Sequence, residues 1–364
     1  MYKKFFMGIA AVAALTLVSC SSDDLNSLSD NSSKNEAISF DGYLGRSAVA
    51  VNGSRGSVLD KTALQGLKEG FGVFGNYSSE GTTTAYGENL FKNQPVTYKT
   101  SAWTYSPLKY WSTEGHIDFL AYAPYDATIA LKKKDATETA LTCIDFKVDK
   151  EIANQKDLLW ANVVGRTKDK ISTTGNKVKF HFYHALSRLG YSVKLYGNGD
   201  YSSATFTVNK ITLAGSSDGT SKNAFYKKGT IDLSKSNEGP NLWDTSSSVN
   251  NDDKQNFDLV SSDQSLGKDG INSGKNYLFV IPQNFSGADE LYVYVKYTIN
   301  YTDGTQPVTN TVYKKLTTNF KQGKAYMLNL TIGLPIEFDV DVVEGWGTDE
   351  NINIGSNDNN PWER

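Results

Sequence analysis

The chain has 364 residues, a formal net charge of -3 and 21 tyrosines. It carries no basic patch or Lys/Arg run, which excludes nucleic acid as a natural partner. Its length suggests two domains, and abundant Tyr, Thr, Val, Ser and Gly with few Leu-rich periodic stretches point to β structure.

Residues 1–19 read as a secretory signal. Lys3 and Lys4 precede an apolar run from Phe5 to Val18, shorter than the roughly 20 residues a membrane-spanning helix needs. The run ends Leu17-Val18-Ser19-Cys20, which resembles a bacterial lipobox. That resemblance implies a cut between Ser19 and Cys20 and acylation of Cys20, which would tie the precursor to outer-membrane lipid. Each buried methylene contributes ~0.8 kcal/mol, so several chains hold firmly. Asp23-Asp24 resembles the surface-export signal of some Gram-negative lipoproteins, so the expected location is the outer face of the outer membrane. Residues 20–36, polar and aperiodic, read as a flexible tether. The second cysteine, Cys143, has no partner for an internal disulfide and reads as a small buried hydrophobe in the strand ALTCIDFKV.

Short alternating segments then come one after another. AISFDGYL comes first, VLDKTALQGLKEG offers a helical turn, and GFGVFGNY, PVTYKTSAWTYS, HIDFLAYAP, ALTCIDFKV, DLLWANVV and KVKFHFYHAL continue the series. Beyond RLGYSVKLYG come ATFTVNKITLAG, FYKKGTIDLS, NYLFVIPQ, ELYVYVKYTINY, TNTVYKKLTT, KAYMLNLTIG and IEFDVDVVEGW. Gly, Asn, Asp or Pro turns separate most of them. This rhythm predicts all-β sandwiches and not βαβ units. ELYVYVKYTINY should put Leu291, Val293 and Val295 on one face and Tyr292, Tyr294 and Lys296 on the other. A boundary near residues 185–200 divides an N-terminal domain, 37–188, from a C-terminal domain, 189–347, with a flexible tail at 348–364.

No catalytic set emerges, so the protein is not expected to be an enzyme or to need a cofactor. His181 and His184 are three apart, and on a strand they point to opposite faces, unable to share an ion. His116 stands alone. There is no HExxH, CxxC, GxSxG or Walker loop. The loop GSSDGTSKN at 215–223 lacks an EF-hand pattern and reads as a turn. Asp339, Asp341 and Val343 should share one face of a strand, with Val340, Val342 and Glu344 on the other, a half-exposed edge and not a glycosidase pair. Trp103, Tyr105, Tyr110 and Trp111 could form a sugar-stacking platform, but core filling is the favoured reading.

In order along the chain, YSPLKYWSTEGHIDFLAYAPYD, KDLLWANVVG, NKVKFHFYHALSRLGYSVKL, NYLFVIPQNF, TTNFKQGKAYMLNLTI and IEFDVDVVEGWG resemble the blocks of the fimbrillin family, the lipoprotein pilins of type V fimbriae. The resemblance spans about residues 37 to 347. It implies two tandem β-sandwich domains of transthyretin-like topology. It also implies maturation by an arginine-specific protease, which cuts behind the first strand so that this strand leaves and a strand of another subunit fills the groove. That is β-augmentation between fimbrial subunits. The departing strand would be about 37–45, anchored by Ile38, Phe40 and Gly42, with Ser39 and Asp41 facing the other way. Arg55, in a Gly/Ser turn, is the preferred cut site, and Arg46 the alternative. A C-terminal donor strand would come from Val340 and Val342 or from Ile352 and Ile354. Two readings stay open: an adhesive fimbrial subunit, whether stalk, tip or anchor, and a monomeric surface lipoprotein that binds glycans.

Overall fold

The computed structural model describes residues 36–44, 59, 61–82, 85–172, 177–196, 201–235, 242–245, 253–287, 289–333 and 337–342, with backbone alone for 171–172 and 337–342. The described chain is all-β. Its α-helices are two short pieces, Lys61–Gly66 and Lys168–Ser172, and strands and turns make up nearly all the rest. No described helix is long and apolar enough to cross a membrane.

Alternating sequence produces alternating burial. In Leu291–Tyr301, Leu291, Val293 and Val295 are buried, Tyr292 and Tyr294 are half-buried and Lys296 is exposed. Successive side chains of a strand leave opposite faces, so this pattern can seal a core on one side only.

The first half of the chain builds a seven-stranded sheet. Its strands lie in the order Phe40–Leu44, Val178–His184, Leu159–Arg166, His116–Ala123, Phe71–Ser78, Phe91–Lys99 and Ala102–Thr104. Every pairing is antiparallel except the first, where Phe40–Leu44 runs parallel to Val178–His184. The sheet curls until its two ends approach, and Phe40–Leu44 comes against Ala102–Thr104. One apolar cluster fills the curl, with Phe40, Phe71, Phe91, Phe119, Phe180 and Phe182 at its centre.

The second half builds two five-stranded sheets. One orders Ile271–Asn272, Ser187–Leu195, Ala325–Ile332 and Glu337–Val342, with Leu278–Val280 also on Ser187–Leu195. The other orders Phe257–Val260, Ala204–Ala214, Leu291–Tyr301 and Val308–Leu316, with Gln264–Leu266 also on Ala204–Ala214. A second apolar cluster contains the inward residues of both, and it also takes in Phe74, Leu120, Tyr122 and Trp160 from the outer side of the seven-stranded sheet. Leu141–Lys147 pairs with Lys228–Asp232, so residues from both halves share a four-stranded sheet.

Two stretches differ from the sequence reading. PVTYKTSAWTYS is not one strand. It folds back at Thr100 and Ser101, both at positive φ (49° and 62°), and Lys99 faces Ala102 across the turn. Two residues with φ > 0 make the tight hairpin turn whose twist matches the strands it joins. The described residues of the polar stretch 243–272 contribute five short strands, each of two to four residues.

Candidate functional site

The strand Phe40–Leu44 is where sequence expectation and structure meet. Its outward alternation holds: Ile38, Phe40, Gly42 and Leu44 are buried, Ser39 and Asp41 are half-buried, and Tyr43 is 48% exposed. Among the described residues the strand ends its sheet, so one neighbour gives it a ladder, with Phe40 beside Val178, Asp41 beside Lys179 and Leu44 beside Phe182. A sheet edge of this kind can exchange one extended segment for another, because most of the recognition is backbone pairing.

The residues just before the strand are clasped on two sides. The Val178 N–H donates to the Ser39 carbonyl at 2.8 Å, while the Ile38 N–H donates to the Lys109 carbonyl, also at 2.8 Å. The Tyr105 hydroxyl donates to the Ile38 carbonyl at 2.8 Å, and Ala37 bridges to Tyr110. This short segment thus closes the seam between the two ends of the curled sheet.

Phe40 is the largest anchor. Its ring centroid lies 5.3 Å from Tyr105, 5.4 Å from Phe91 and 5.7 Å from both Phe119 and Phe180. Edge, tilted and stacked contacts of this kind add about 0.5–1.5 kcal/mol per pair beyond the area buried. Gly42 lies on three further rings. A Cβ built there would sit 3.4 Å from Phe71 and 3.5 Å from Phe182 and Trp103, ordinary contact with no room beyond it. The seat therefore reads, along its inner face, as a large site, a shallow site and a third apolar site at Leu44.

Behind the strand, Arg46 and Arg55 lie outside the described residues, as do Ser19 and Cys20. The described chain picks up at Leu59, whose side chain is buried and whose N–H donates to Asp157 Oδ2 at 2.9 Å. That oxygen also meets His184 Nδ1 at 2.9 Å. Sequence reading missed this Asp157–His184–Leu59 junction, because its members are far apart in the chain and only the fold brings them together.

Of the two candidate donor segments, Ile352 and Ile354 lie outside the described residues. Val340 and Val342 belong to the strand Glu337–Val342, which among the described residues ends its own sheet and pairs with Ala325–Ile332, Val340 opposite Leu328 and Val342 opposite Tyr326.

The remaining candidates resolve into ordinary structure. His181 is exposed, with Nδ1 3.1 Å from the Tyr183 hydroxyl, while His184 turns to Asp157. His116 Nε2 lies 3.4 Å from Asp118, which accepts the Gly165 N–H at 2.6 Å. Among the described residues no three His, Cys, Asp or Glu are grouped to hold a metal. In the 215–223 loop, Asp218 accepts bonds from Ser216 Oγ (2.5 Å), the Thr220 N–H (3.0 Å) and Thr220 Oγ1 (2.8 Å). These bonds, the Ser216 one foremost, hold its pKa down at about 2, and they make it the closure of a turn. Cys143 is buried, and burial pushes its thiol up. Trp103 and Trp111 are core rings, Tyr105 is half-buried, and of the four aromatics only Tyr110 is open to solvent.

The family profile described as Fimbrillin-like matches residues 61–346. A fimbrial protein from Bacteroides vulgatus is similar in structure with a TM-score of 0.63 at 21% identity, over 86% of this chain and 100% of that one. The fimbrial anchor protein Mfa2 from Porphyromonas gingivalis is also matched, at 8% identity and a TM-score of 0.33, over 85% of this chain and 97% of that one. No curated protein matches the sequence. With most of its described body inside one family profile, the chain belongs to the fimbrillin-like family.

Proposed function

We propose that this protein is a structural subunit of a surface fimbria. It is exported as a lipoprotein through Cys20, trimmed after Arg55 or Arg46 by an arginine-specific protease, and polymerised by strand exchange to support adhesion. Residues 37–188 form the receiving domain and 189–347 the domain that carries the donor. The observation that carries the reading is the placement of Phe40–Leu44: an edge strand, parallel to one neighbour, that plugs an aromatic groove at a seam. Its removal would leave a row of unpaired backbone groups above an apolar trough, the two features that β-augmentation needs. Family membership supports the fimbrial assignment.

The glycan-binding alternative gains less support, since Trp103, Trp111 and Trp160 are buried and Trp243 is half-buried with its indole N–H bonded to the Ala185 carbonyl. Stacking on a sugar needs an open ring face.

The test is intact mass and N-terminal sequencing of protein taken from its own cell surface, with a gel run without boiling. A start at Ser47 or Gly56 with a ladder of high-mass species is the expected result. A lipidated start at Cys20 with a single monomer band would overturn polymerisation by trimming and return the choice to an anchor subunit or a glycan-binding lipoprotein.

A further inference from the structure

At one end of the seven-stranded sheet, three stretches of chain enclose a cavity of about 620 Å³. Phe71–Ser78, His116–Ala123 and Leu159–Arg166 are neighbours there, with Ser78 opposite His116 and Ile117 opposite Arg166. Residues from 80–81, 112–116 and 165–170, at and beyond these strand ends, form the walls. The volume lies in the roughly 300–1,000 Å³ range of small-molecule sites.

The walls are braced. Asp118, its side chain fully buried, accepts the Gly165 N–H at 2.6 Å and the Ala85 N–H at 3.1 Å, and stands 3.4 Å from His116 Nε2. The Tyr77 hydroxyl donates to the Glu114 carbonyl at 3.2 Å, and Ser112 Oγ accepts the Glu114 N–H at 3.3 Å. Gly115, at φ 74°, lies so close to Ser78 that a built Cβ would come within 2.2 Å of its carbonyl oxygen. The wall at 112–116 is thus held on the sheet end largely through backbone, while Glu80, Thr113 and Glu114 stay exposed.

We propose that this cavity binds a neutral saccharide, recognised by hydrogen bonds and not by ring stacking. It goes beyond the fimbrial assignment above and does not depend on strand exchange.

Three kinds of polar group line the site. The carboxylates of Glu80, Glu114 and Asp169 only accept hydrogen bonds, and the ammonium groups of Lys168 and Lys170 only donate. The hydroxyls of Ser112, Thr113 and Thr167 do both. A sugar hydroxyl donates and accepts at one oxygen, so a single ring can answer all three kinds. A phosphorylated or sulfated ligand brings acceptors and negative charge, which the carboxylates repel. A polyamine brings donors and positive charge, and meets the same fault at the lysines. The described lining includes no Val, Leu, Ile, Met, Phe, Tyr or Trp. An apolar ligand would therefore strand polar groups without partners, and a peptide would find no apolar pocket for its side chains. Among the described residues these acids are not grouped to hold a metal ion.

The experiment uses the full, untrimmed chain on a printed array of neutral, sialylated and sulfated oligosaccharides, followed by titration calorimetry with the neutral oligosaccharide of strongest signal. Glu114→Gln removes one acceptor-only group, and Thr113→Trp fills the cavity from an exposed position. Melting temperatures check that both variants fold. Glu138→Gln, an exposed acid outside the cavity, is the blank. The expected result is binding of a neutral oligosaccharide, weakened about tenfold or more by Glu114→Gln, as for loss of a hydrogen bond to a charged group. Thr113→Trp should abolish it and Glu138→Gln should leave it unchanged. Binding confined to sialylated or sulfated glycans overturns the ligand class. Binding that Glu114→Gln and Thr113→Trp both leave intact, or an array with no signal, overturns the site. The fimbrial reading stands or falls separately, on the unboiled gel.

Discussion

The Asp157 carboxylate accepts the Leu59 N–H at 2.9 Å while the same oxygen meets His184 Nδ1 at 2.9 Å. Leu59 lies just past the segment that holds Arg55, and His184 ends the strand against which Phe40–Leu44 is laid. One buried carboxylate thus ties the chain downstream of the proposed cut to the sheet, so trimming would free the residues upstream of the cut and leave those downstream in place. Asp157→Ala should destabilise the protein by about 2–3 kcal/mol, the range for losing a hydrogen bond to a charged group and stranding its buried partner. Asp157→Asn, which keeps an acceptor for Leu59, should cost less. Urea unfolding monitored by tryptophan fluorescence checks both, with a lower midpoint and an unchanged slope expected.

Phe40 gives the sharpest test of the seat. In the untrimmed chain Phe40→Ala should cost about 3–5 kcal/mol, the usual result of emptying a phenylalanine site in a packed core. In trimmed, assembled protein the residue has left with its strand, and the same substitution should change nothing. Melting temperatures of the two forms decide the point. Equal losses in both would mean that Phe40 stays in its seat after trimming.

The strand alternation was legible because one face is buried and one is wet: Ile38, Phe40 and Gly42 inward, Leu291, Val293 and Val295 inward. Two things were not. Short strands such as Trp243–Asp244 and Ile271–Asn272 have no room for a period-two pattern, and their pairing is decided by neighbours remote in sequence. The parallel pairings, Phe40–Leu44 on Val178–His184 and Ser187–Leu195 on Ala325–Ile332, join segments more than a hundred residues apart, where nothing local marks the partner. The same holds for the junction at Asp157. Cysteine chemistry was simpler to read, because a lone apolar-flanked thiol such as Cys143 has little to do but pack.

The turn at Thr100 and Ser101 predicts a gain. Both residues hold positive φ, and left-handed backbone costs a residue with a Cβ roughly 1–2 kcal/mol. Asn and Gly tolerate it, and Asn-Gly is the preferred pair for such a hairpin. The double variant Thr100→Asn with Ser101→Gly should stabilise the chain by about 1 kcal/mol or more. Calorimetric melting measures it, and a loss of stability would show that the side chains of Thr100 and Ser101 make contacts worth more than the strain.

Alkali should weaken the fold through two phenols, half-buried Tyr86 and buried Tyr122. Burial, with Asp118 and Asp232 nearby, raises Tyr86 from 10.0 to about 12, and burial likewise raises Tyr122, whose hydroxyl donates to Asn93 Oδ1 and to the Asp126 carbonyl. A folded-state pKa above the unfolded one means that the native state holds the proton more tightly. The stability so conferred is complete below pH 10 and is lost as pH rises from 10 through 12. Melting curves between about pH 9 and 12 should therefore fall, and Tyr86→Phe, which cannot ionise, should fall less steeply over the same window. Absorbance of phenolate tracked through the titration should show Tyr86 ionising above the ordinary value of 10.0, near about 12. Ionisation of Tyr86 at the ordinary value, identified as the step lost in Tyr86→Phe, would remove the basis of the expected decline.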